Sequence, residues 1–272
     1  MIIDSPAYAG ETDALLKLLA DQPSRPDLDP YEQLLLDRQE LPDPELAGTV
    51  DPRTRPRDLE IELPGRTLDA RVYHPVQTTG PAPVLLWLHG GGFVGGHWRD
   101  IEYATSGIAA AGNVVVVSLN YRLEPEKPYP AALNDVHETL QWIHARTTEL
   151  RGDGRIAIGG QSAGAELAMA ACMVARDNGT PLPAHQILCY PCPHPDQDSM
   201  SFDGLPPALV LAAGRDSLRD DALESAARLD ARLVEYADTM HAFLNFPAAL
   251  SAGRHAVELI SEHLREVFYP PA

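Results

Sequence analysis

The stretch IAIGGQSAGAELAMA, Ile156 to Ala170, decides the fold. It begins with a short apolar run, which is typical of a buried strand, and it ends in alanine-rich sequence that favours a helix. Between the two, GQSAG (residues 160–164) fits G-x-S-x-G, in which a serine lies on a sharp, strained turn from strand to helix. Gly160 and Gly164 keep that turn free of collisions, and the helix N-terminus favours negative charge nearby. We therefore predict a nucleophilic Ser162, with a plain glycine turn as the alternative.

Strands and helices alternate on both sides of this stretch. DLEIEL (58–63) and LDARVYH (68–74) alternate in polarity around PGRT and predict an antiparallel pair. Later apolar runs predict strands buried on both faces: PVLLWLH (83–89), VVVVSL (114–119), QILCY (186–190), ALVLAAG (208–214) and RLVEY (232–236). Apolar residues at helical spacing lie in 130–145 and near the C-terminus, with Pro130 placed to start the first of these helices. This order predicts an α/β protein with a mainly parallel sheet, an antiparallel first hairpin and helices on both faces.

Composition excludes several classes of protein. The 272 residues are 44% hydrophobic and carry a formal net charge of −18, which disfavours nucleic acid and anionic membrane surfaces as partners. No apolar run is long enough to cross a membrane, and the N-terminus lacks the pattern of a secretory signal. We therefore expect no membrane insertion and a cytoplasmic protein. Cys189 and Cys192 form a C-x-x-C, which we interpret as buried or loop thiols, with a redox pair as the alternative.

Residues 1–50 differ from the rest. Leucines at helical spacing predict two short helices, at 12–21 and 30–39, separated by the proline-rich QPSRPDLDP. We interpret 1–50 as a helical cap segment and 51–272 as the catalytic domain.

A serine nucleophile needs a base, and the base needs an acid that orients it. Asp216 follows the strand ALVLAAG, and His241 follows RLVEY within a few residues. Both therefore fall at carboxyl ends of strands, where open α/β sheets form their sites. The alternatives are a helix N-cap role for Asp216, Asp220 or Asp221 as the acid, and a satisfied surface histidine at 241.

The glycine-rich WLHGGGFVGGHW (87–98) raises the question of what its backbone N–H groups bind. A nucleotide site is disfavoured, because the stretch contains neither the phosphate-loop motif nor the spacing of the dinucleotide motif. The stretch follows a predicted strand and precedes the serine turn, so we expect its N–H groups to face Ser162 and to stabilise a transient anion.

Several segments together resemble the hormone-sensitive lipase family of α/β-hydrolase esterases. They are HGGGF (89–93), NYRLEPEKPYPAALND (120–135), GQSAGAEL (160–167), GLPPALVLAAGRDSLRDD (204–221) and MHAFLNF (240–246). The resemblance implies the α/β-hydrolase fold, with Ser162 as nucleophile, Asp216 as acid and His241 as base. It also implies an oxyanion hole formed by the N–H groups of Gly91, Gly92 and Ala163.

The resemblance further implies a small-molecule ester substrate with a short to medium acyl chain, no cofactor and no metal. Arg122 and Glu126 are then structural, while Gly95 and Gly96 serve only the turn. Dimers are frequent in the family, and RLVEY as a final edge strand would offer a surface for a homodimer. Fold and triad do not fix the leaving group, so amide, formamide, thioester, lactone or acyl-transfer chemistry stays an alternative, as does a non-catalytic binding protein.

The chain departs from the family pattern at three places. Gln161 precedes the serine where aspartate is common, and Ala165 replaces a frequent glycine. The linker near 191–205 is short where the family usually has several dozen residues that help to build the cap. We therefore expect a more open pocket, or one completed by the N-terminal helices or by a second subunit.

Overall fold

The computed structural model describes residues 1–21, 28–192 and 200–270. Its strands form one nine-stranded sheet in the order β1-β9-β8-β7-β6-β4-β5-β3-β2. The strands are Ile2–Ile3 (β1), Thr54–Leu63 (β2), Arg66–Pro75 (β3), Ala82–Leu88 (β4), Val115–Leu119 (β5), Gly152–Gln161 (β6), His185–Cys189 (β7), Ala208–Arg215 (β8) and Arg232–Met240 (β9).

The sheet is mainly parallel. Strands β2, β3 and β5 pair antiparallel, and all the other neighbours pair parallel. Every residue of β4 and β5 is buried, which is why these strands are continuous apolar runs instead of alternating ones. The predicted α/β-hydrolase fold with an antiparallel first hairpin is confirmed.

Helices cover both faces of the sheet. They are Pro6–Ala20 (α1), Pro30–Asp37 (α2), Pro44–Ala47 (α3), Glu102–Gly112 (α4), Ala131–Arg146 (α5), Ala163–Asn178 (α6), Arg219–Arg228 (α7) and Ser251–Phe268 (α8). Buried residues of α5, α6 and α7 pack on one face, and those of α1, α4 and α8 pack on the other. Among the described residues, no helix has both the length and the apolarity that a membrane span requires.

The edge of the sheet differs from the prediction. RLVEY was predicted to be the final edge strand, but β1 pairs with β9 through Ile2 and Ile3 and covers it. The two residues of β1 are too few to show a strand pattern, so this pairing could not be predicted from the sequence. The prediction of a free edge at β9 is therefore wrong, and the homodimer stays a prediction.

The N-terminal segment lies against the glycine-rich loop. Arg38 Nε donates to the carbonyl of Val94 at 2.8 Å, and the same guanidinium pairs with Glu126 at 2.8 Å. The Tyr31 hydroxyl donates to Glu126 at 2.9 Å. These contacts join α2 and the residue after it to the loop that follows β4 and to the segment that follows β5.

Candidate active site

The serine turn has the geometry that G-x-S-x-G predicts. Ser162 has a φ of +53°, a strained conformation for a residue with a side chain, and α6 begins directly after it. A Cβ atom at Gly160 would lie 2.6 Å from the backbone of Gly164, and one at Gly164 would lie 2.3 Å from the carbonyl oxygen of Leu88. The turn therefore excludes side chains at both glycines, and it presents the Ser162 hydroxyl at the carboxyl edge of the sheet.

The structure brings the three predicted site residues together. The Ser162 hydroxyl lies 2.9 Å from His241 Nε2, and His241 Nδ1 lies 2.6 Å from Asp216 Oδ2. The Asp216 side chain is only 2% exposed and also accepts the backbone N–H of Leu218 at 2.9 Å. A buried carboxylate fixed in this way holds the imidazole in the tautomer whose Nε2 can accept the serine proton.

The alternative acids do not take this position. The Asp220 side chain is exposed and pairs with Arg219 at 2.9 Å. Asp221 belongs to the first turn of α7. The helix-cap alternative for Asp216 is wrong, because Leu218 is the N-cap of α7, and the Asp216 side chain accepts the N–H of Leu218 itself.

The glycine-rich loop takes backbone conformations that only glycine adopts easily. Gly91 has a φ of +121° and Gly92 a φ of +60°. At Gly96 the φ is +91°, and a Cβ atom would lie 2.0 Å from the carbonyl oxygen of Gly90. Gly95 has neither constraint, since a Cβ there would meet only one atom, at 3.6 Å. The loop therefore depends on Gly91 and Gly96 for its close turn.

His89 fixes the start of this loop. Its Nδ1 lies 2.7 Å from the Gly90 carbonyl, and its ring stacks on Tyr121 with 4.3 Å between centroids. The Tyr121 hydroxyl donates to the His89 carbonyl at 2.8 Å. Burial lowers the pKa of His89 to about 4, so the ring is neutral at ordinary pH and its Nδ1–H donates to Gly90.

Three backbone N–H groups near Ser162 have no acceptor among the described residues. Within residues 1–21, 28–192 and 200–270, no protein acceptor bonds the N–H of Gly91, Gly92 or Ala163. Ala163 is the first residue of α6, whose N-terminus favours negative charge. Gly91, Gly92 and Ser162 border the same cavity. An oxyanion formed on a carbon attached to Ser162 is therefore a suitable acceptor for these groups.

A buried polar network beside the triad was missed in the sequence. Gln161 Nε2 donates to Asn245 Oδ1 at 2.7 Å, and the Tyr190 hydroxyl donates to Gln161 Oε1 at 2.8 Å. Gln161 is 2% exposed and Tyr190 is fully buried. Tyr190 also packs edge-on against the His241 ring, with 5.0 Å between centroids. The network joins the serine turn to the loop that carries the base, and the replacement of the family's aspartate by Gln161 was its one visible signal.

The cavity at the triad has a volume of about 470 Å³. Its wall consists of the glycine-rich loop, the serine turn and the loop of His241, together with Tyr190, Asn245 and Asp100. The predicted short linker near 191–205 is described only in part, because residues 193–199 lie outside the described residues.

Arg122 and Glu126 make structural contacts. Arg122 forms a bidentate ion pair with the fully buried Asp135, with 2.8 Å between Nη2 and Oδ1, and Glu126 pairs with Arg38. The C-x-x-C thiols are both free. Burial raises the pKa of Cys189 above its ordinary value and that of Cys192 to about 12, which disfavours a reactive thiolate at either position.

The fold and this arrangement define the class of the protein as an α/β hydrolase. A family model described as "alpha/beta hydrolase fold" matches residues 85–202. The chain is 30% identical to an acetyl-hydrolase of Streptomyces hygroscopicus, over 66% of this chain and 75% of that one. It is 29% identical to the carboxylesterase NlhH of Mycobacterium tuberculosis, over 86% of this chain and 94% of that one.

Solved structures agree with this class. A hyperthermophilic esterase from the archaeon Pyrobaculum calidifontis is 27% identical and superposes with a TM-score of 0.77, over 93% of this chain and 97% of that one. The chain belongs to the α/β-hydrolase family, and the resemblance to its hormone-sensitive lipase branch is confirmed.

Proposed function

We propose that the protein is a serine carboxylesterase that hydrolyses esters of short- to medium-chain acids through an acyl-enzyme on Ser162. The observation that carries the proposal is the continuous hydrogen-bonded path from Ser162 through His241 to Asp216, at 2.9 Å and 2.6 Å, beside a cavity. The names of the relatives, which are carboxylesterases, esterases and an acetyl-hydrolase, support an ester as the substrate.

The reaction proceeds in two halves. His241 Nε2 takes the proton of Ser162 as the serine oxygen attacks the ester carbonyl, and it then gives that proton to the leaving alcohol. The products of this half are the alcohol and an acyl ester of Ser162. Water attacks that ester in the second half, again giving its proton to His241, and releases the acid and the free serine. Asp216 stabilises the imidazolium in both halves.

The N–H groups of Gly91, Gly92 and Ala163 form the oxyanion hole of this proposal. Each bonds the oxygen more strongly when it carries the negative charge of the tetrahedral intermediate than when it is a carbonyl oxygen. A donor of this kind contributes about 3–4 kcal/mol in measured cases. The strained backbone at Ser162 and the neutral His89 hold the donors in place before the substrate arrives.

The proposal extends to the cap over the active site and to the length of the substrate's acyl chain. Residues 1–50 act as a cap on the active site, which is supported by the hydrogen bond from Arg38 to Val94 in the glycine-rich loop. The volume of about 470 Å³ suits a short or medium acyl chain together with a small alcohol.

The test is turnover of a graded series of p-nitrophenyl esters, from acetate to palmitate, by the wild type and by Ser162→Ala. We expect the highest kcat/KM on the shorter chains and the loss of turnover in the variant. The control is Ser201→Ala, which removes an exposed serine outside the cavity. Full activity of Ser162→Ala would refute the acyl-enzyme, and a wild type that ignores every simple ester would refute the substrate class.

A further inference from the structure

The active-site cavity meets a second cavity at Asp100. The second cavity has a volume of about 330 Å³, and its wall includes Leu41, Val50 and Tyr103. Asp100 borders both cavities, and it is the one residue that they share. Asp100 therefore lies in the wall of the active-site cleft, on the side of a second cavity beside the segment that precedes β2.

The Asp100 carboxylate accepts a hydrogen bond but forms no ion pair with any of the described residues. Its Oδ2 accepts the backbone N–H of His97 at 2.8 Å. In the part of the chain that the structure describes, no Lys, Arg or His nitrogen forms an ion pair with it within 4.0 Å. The neighbouring Arg99 guanidinium lies over the Trp98 ring, 5.9 Å from its centroid. Burial raises the pKa of Asp100, and this effect outweighs the opposite effects of the His97 N–H and the Arg99 charge.

A structural role explains only in part why position 100 is an aspartate. Asp100 and His97 form a capping box around the 3₁₀ turn Trp98–Ile101, and that role needs an oxygen acceptor but no charge. An asparagine would serve equally well as the acceptor. Because a half-buried carboxylate without a cationic partner costs free energy, the charge itself needs another explanation.

The rest of the active-site wall adds no charge that could satisfy Asp100. The wall groups nearest the triad are backbone N–H groups and the neutral side chains of Gln161, Tyr190 and Asn245. His89 is neutral because burial lowers its pKa to about 4. The wall of the second cavity includes Arg99, whose charge lowers the pKa of Asp100 but which forms no ion pair with it within 4.0 Å. It also includes Glu102, which is already partnered by the Tyr73 hydroxyl at 2.8 Å and by Arg71 at 3.5 Å.

We propose that Asp100 is a specificity-determining residue that selects esters carrying an ammonium group several bonds from the scissile carbonyl. The inference rests on the proposed esterase function, and it names the substrate class of that same site. A cation in the cleft satisfies the carboxylate that the protein leaves unpaired, and the net charge of −18 attracts such substrates.

The test compares esters of equal shape with and without the charge. Acetylcholine and 3,3-dimethylbutyl acetate place the difference in the alcohol, and p-nitrophenyl esters of 4-trimethylammoniobutyrate and 5,5-dimethylhexanoate place it in the acid. For the wild type we expect kcat/KM to favour the cation about tenfold in at least one pair. The pair that responds shows which side of the ester faces Asp100.

The informative variant is Asp100→Asn, which keeps the acceptor for the His97 N–H and removes the charge. We expect its cation preference, which is the ratio of kcat/KM on the charged ester to kcat/KM on the neutral ester of the same shape, to fall to about one. The matched control is Asp29→Asn, which makes the same change in an exposed capping box outside both cavities. That control should keep the wild-type preference.

Salt provides a second measurement that needs no variant. The cation preference of the wild type should shrink between low and high ionic strength, because screening weakens the interaction with the partly exposed carboxylate. Turnover of the neutral esters without a cation preference, or a preference that survives in Asp100→Asn, would overturn the inference and leave the esterase function standing. No turnover of any of the four esters by the wild type would overturn both.

Discussion

The hydrogen-bond network around Gln161 leads to a testable prediction. Gln161 directly precedes Ser162 in the chain, and its side chain bonds Asn245 in the loop that contains His241. The variant Gln161→Met keeps the size of the side chain and removes its amide. The Tyr190 hydroxyl then loses its acceptor, and Asn245 loses its donor. An unsatisfied hydroxyl in a fully buried residue costs about 1–3 kcal/mol, and the half-exposed bond to Asn245 contributes about 0.5–1.5 kcal/mol. We therefore expect the free energy of unfolding to fall by about 2–4 kcal/mol.

Activity should fall as well. Asn245 ends the 3₁₀ turn Phe243–Asn245, which follows the proposed base His241 almost directly. Without the bond from Gln161 this turn is held less firmly, and a small displacement of the base costs about 10- to 100-fold in kcat/KM.

Urea-induced unfolding and steady-state kinetics measure the two effects. The control is Gln39→Met, which makes the same change at an exposed position and should stay within about 0.5 kcal/mol of the wild type. A double-mutant cycle adds Tyr190→Phe, whose cost should be smaller by about 1 kcal/mol or more when Gln161 is already methionine. If Gln161→Met matches its control in both stability and kcat/KM, the network does not position the base.

Three further predictions concern stability. Asp135→Ala should lower the free energy of unfolding by about 3–5 kcal/mol, because it leaves the Arg122 charge without its buried partner, whereas Asp220→Ala at the surface should change little. Burial lowers the pKa of His185 to about 4 in the folded protein, which is below its value in the unfolded chain. The unfolded chain therefore binds a proton at His185 more readily, so the free energy of unfolding falls as the pH falls below that unfolded value. His185→Gln should therefore reduce the stability lost between pH 7.5 and pH 5, by an amount on the order of 2 kcal/mol in pH-dependent unfolding. Gly164→Ala should cost about 1–3 kcal/mol in urea unfolding and reduce turnover, because its Cβ would lie 2.3 Å from a backbone oxygen, whereas Gly10→Ala in α1 meets open space and should be neutral or slightly stabilising.

The sequence predicted those features that depend on local pattern. The mainly apolar runs of β4 and β5 identify buried strands, because a strand covered by helices on both faces is largely apolar, with Ser118 as the polar exception in β5. The serine turn, the acid and the base each follow a recognisable strand, so their meeting at one edge of the sheet follows from parallel topology. Helix α1 was predicted to begin at Thr12, but it begins at Pro6, since its first turns lack the leucines that make the later ones visible.

Features that depend on distant contacts were not predictable in the same way. Strand β1 is two residues long and exists because β9 offers it a partner more than 200 residues away. Asn245 is singled out only by its hydrogen bond to Gln161. Asp100 is singled out only by its position in the walls of two cavities, which are formed by separate parts of the chain. Asn245 lies in the segment MHAFLNF but has no predicted role there, and Asp100 lies outside the segments that carry the resemblance, so no periodicity or spacing singles out either residue.

The central claim is that Ser162 becomes acylated, and trapping it by mass spectrometry tests this most directly. A p-nitrophenyl alkylphosphonate, which resembles the tetrahedral intermediate, is incubated with the wild type and with Ser162→Ala, and the digested proteins are mapped. We expect one phosphonyl group per wild-type chain, on the peptide that contains Ser162, and we expect turnover to be lost in step with labelling. We expect no label in the alanine variant. Full ester turnover by a chain already labelled at Ser162 would show that Ser162 is not the nucleophile, and so would loss of activity caused by a label on another residue.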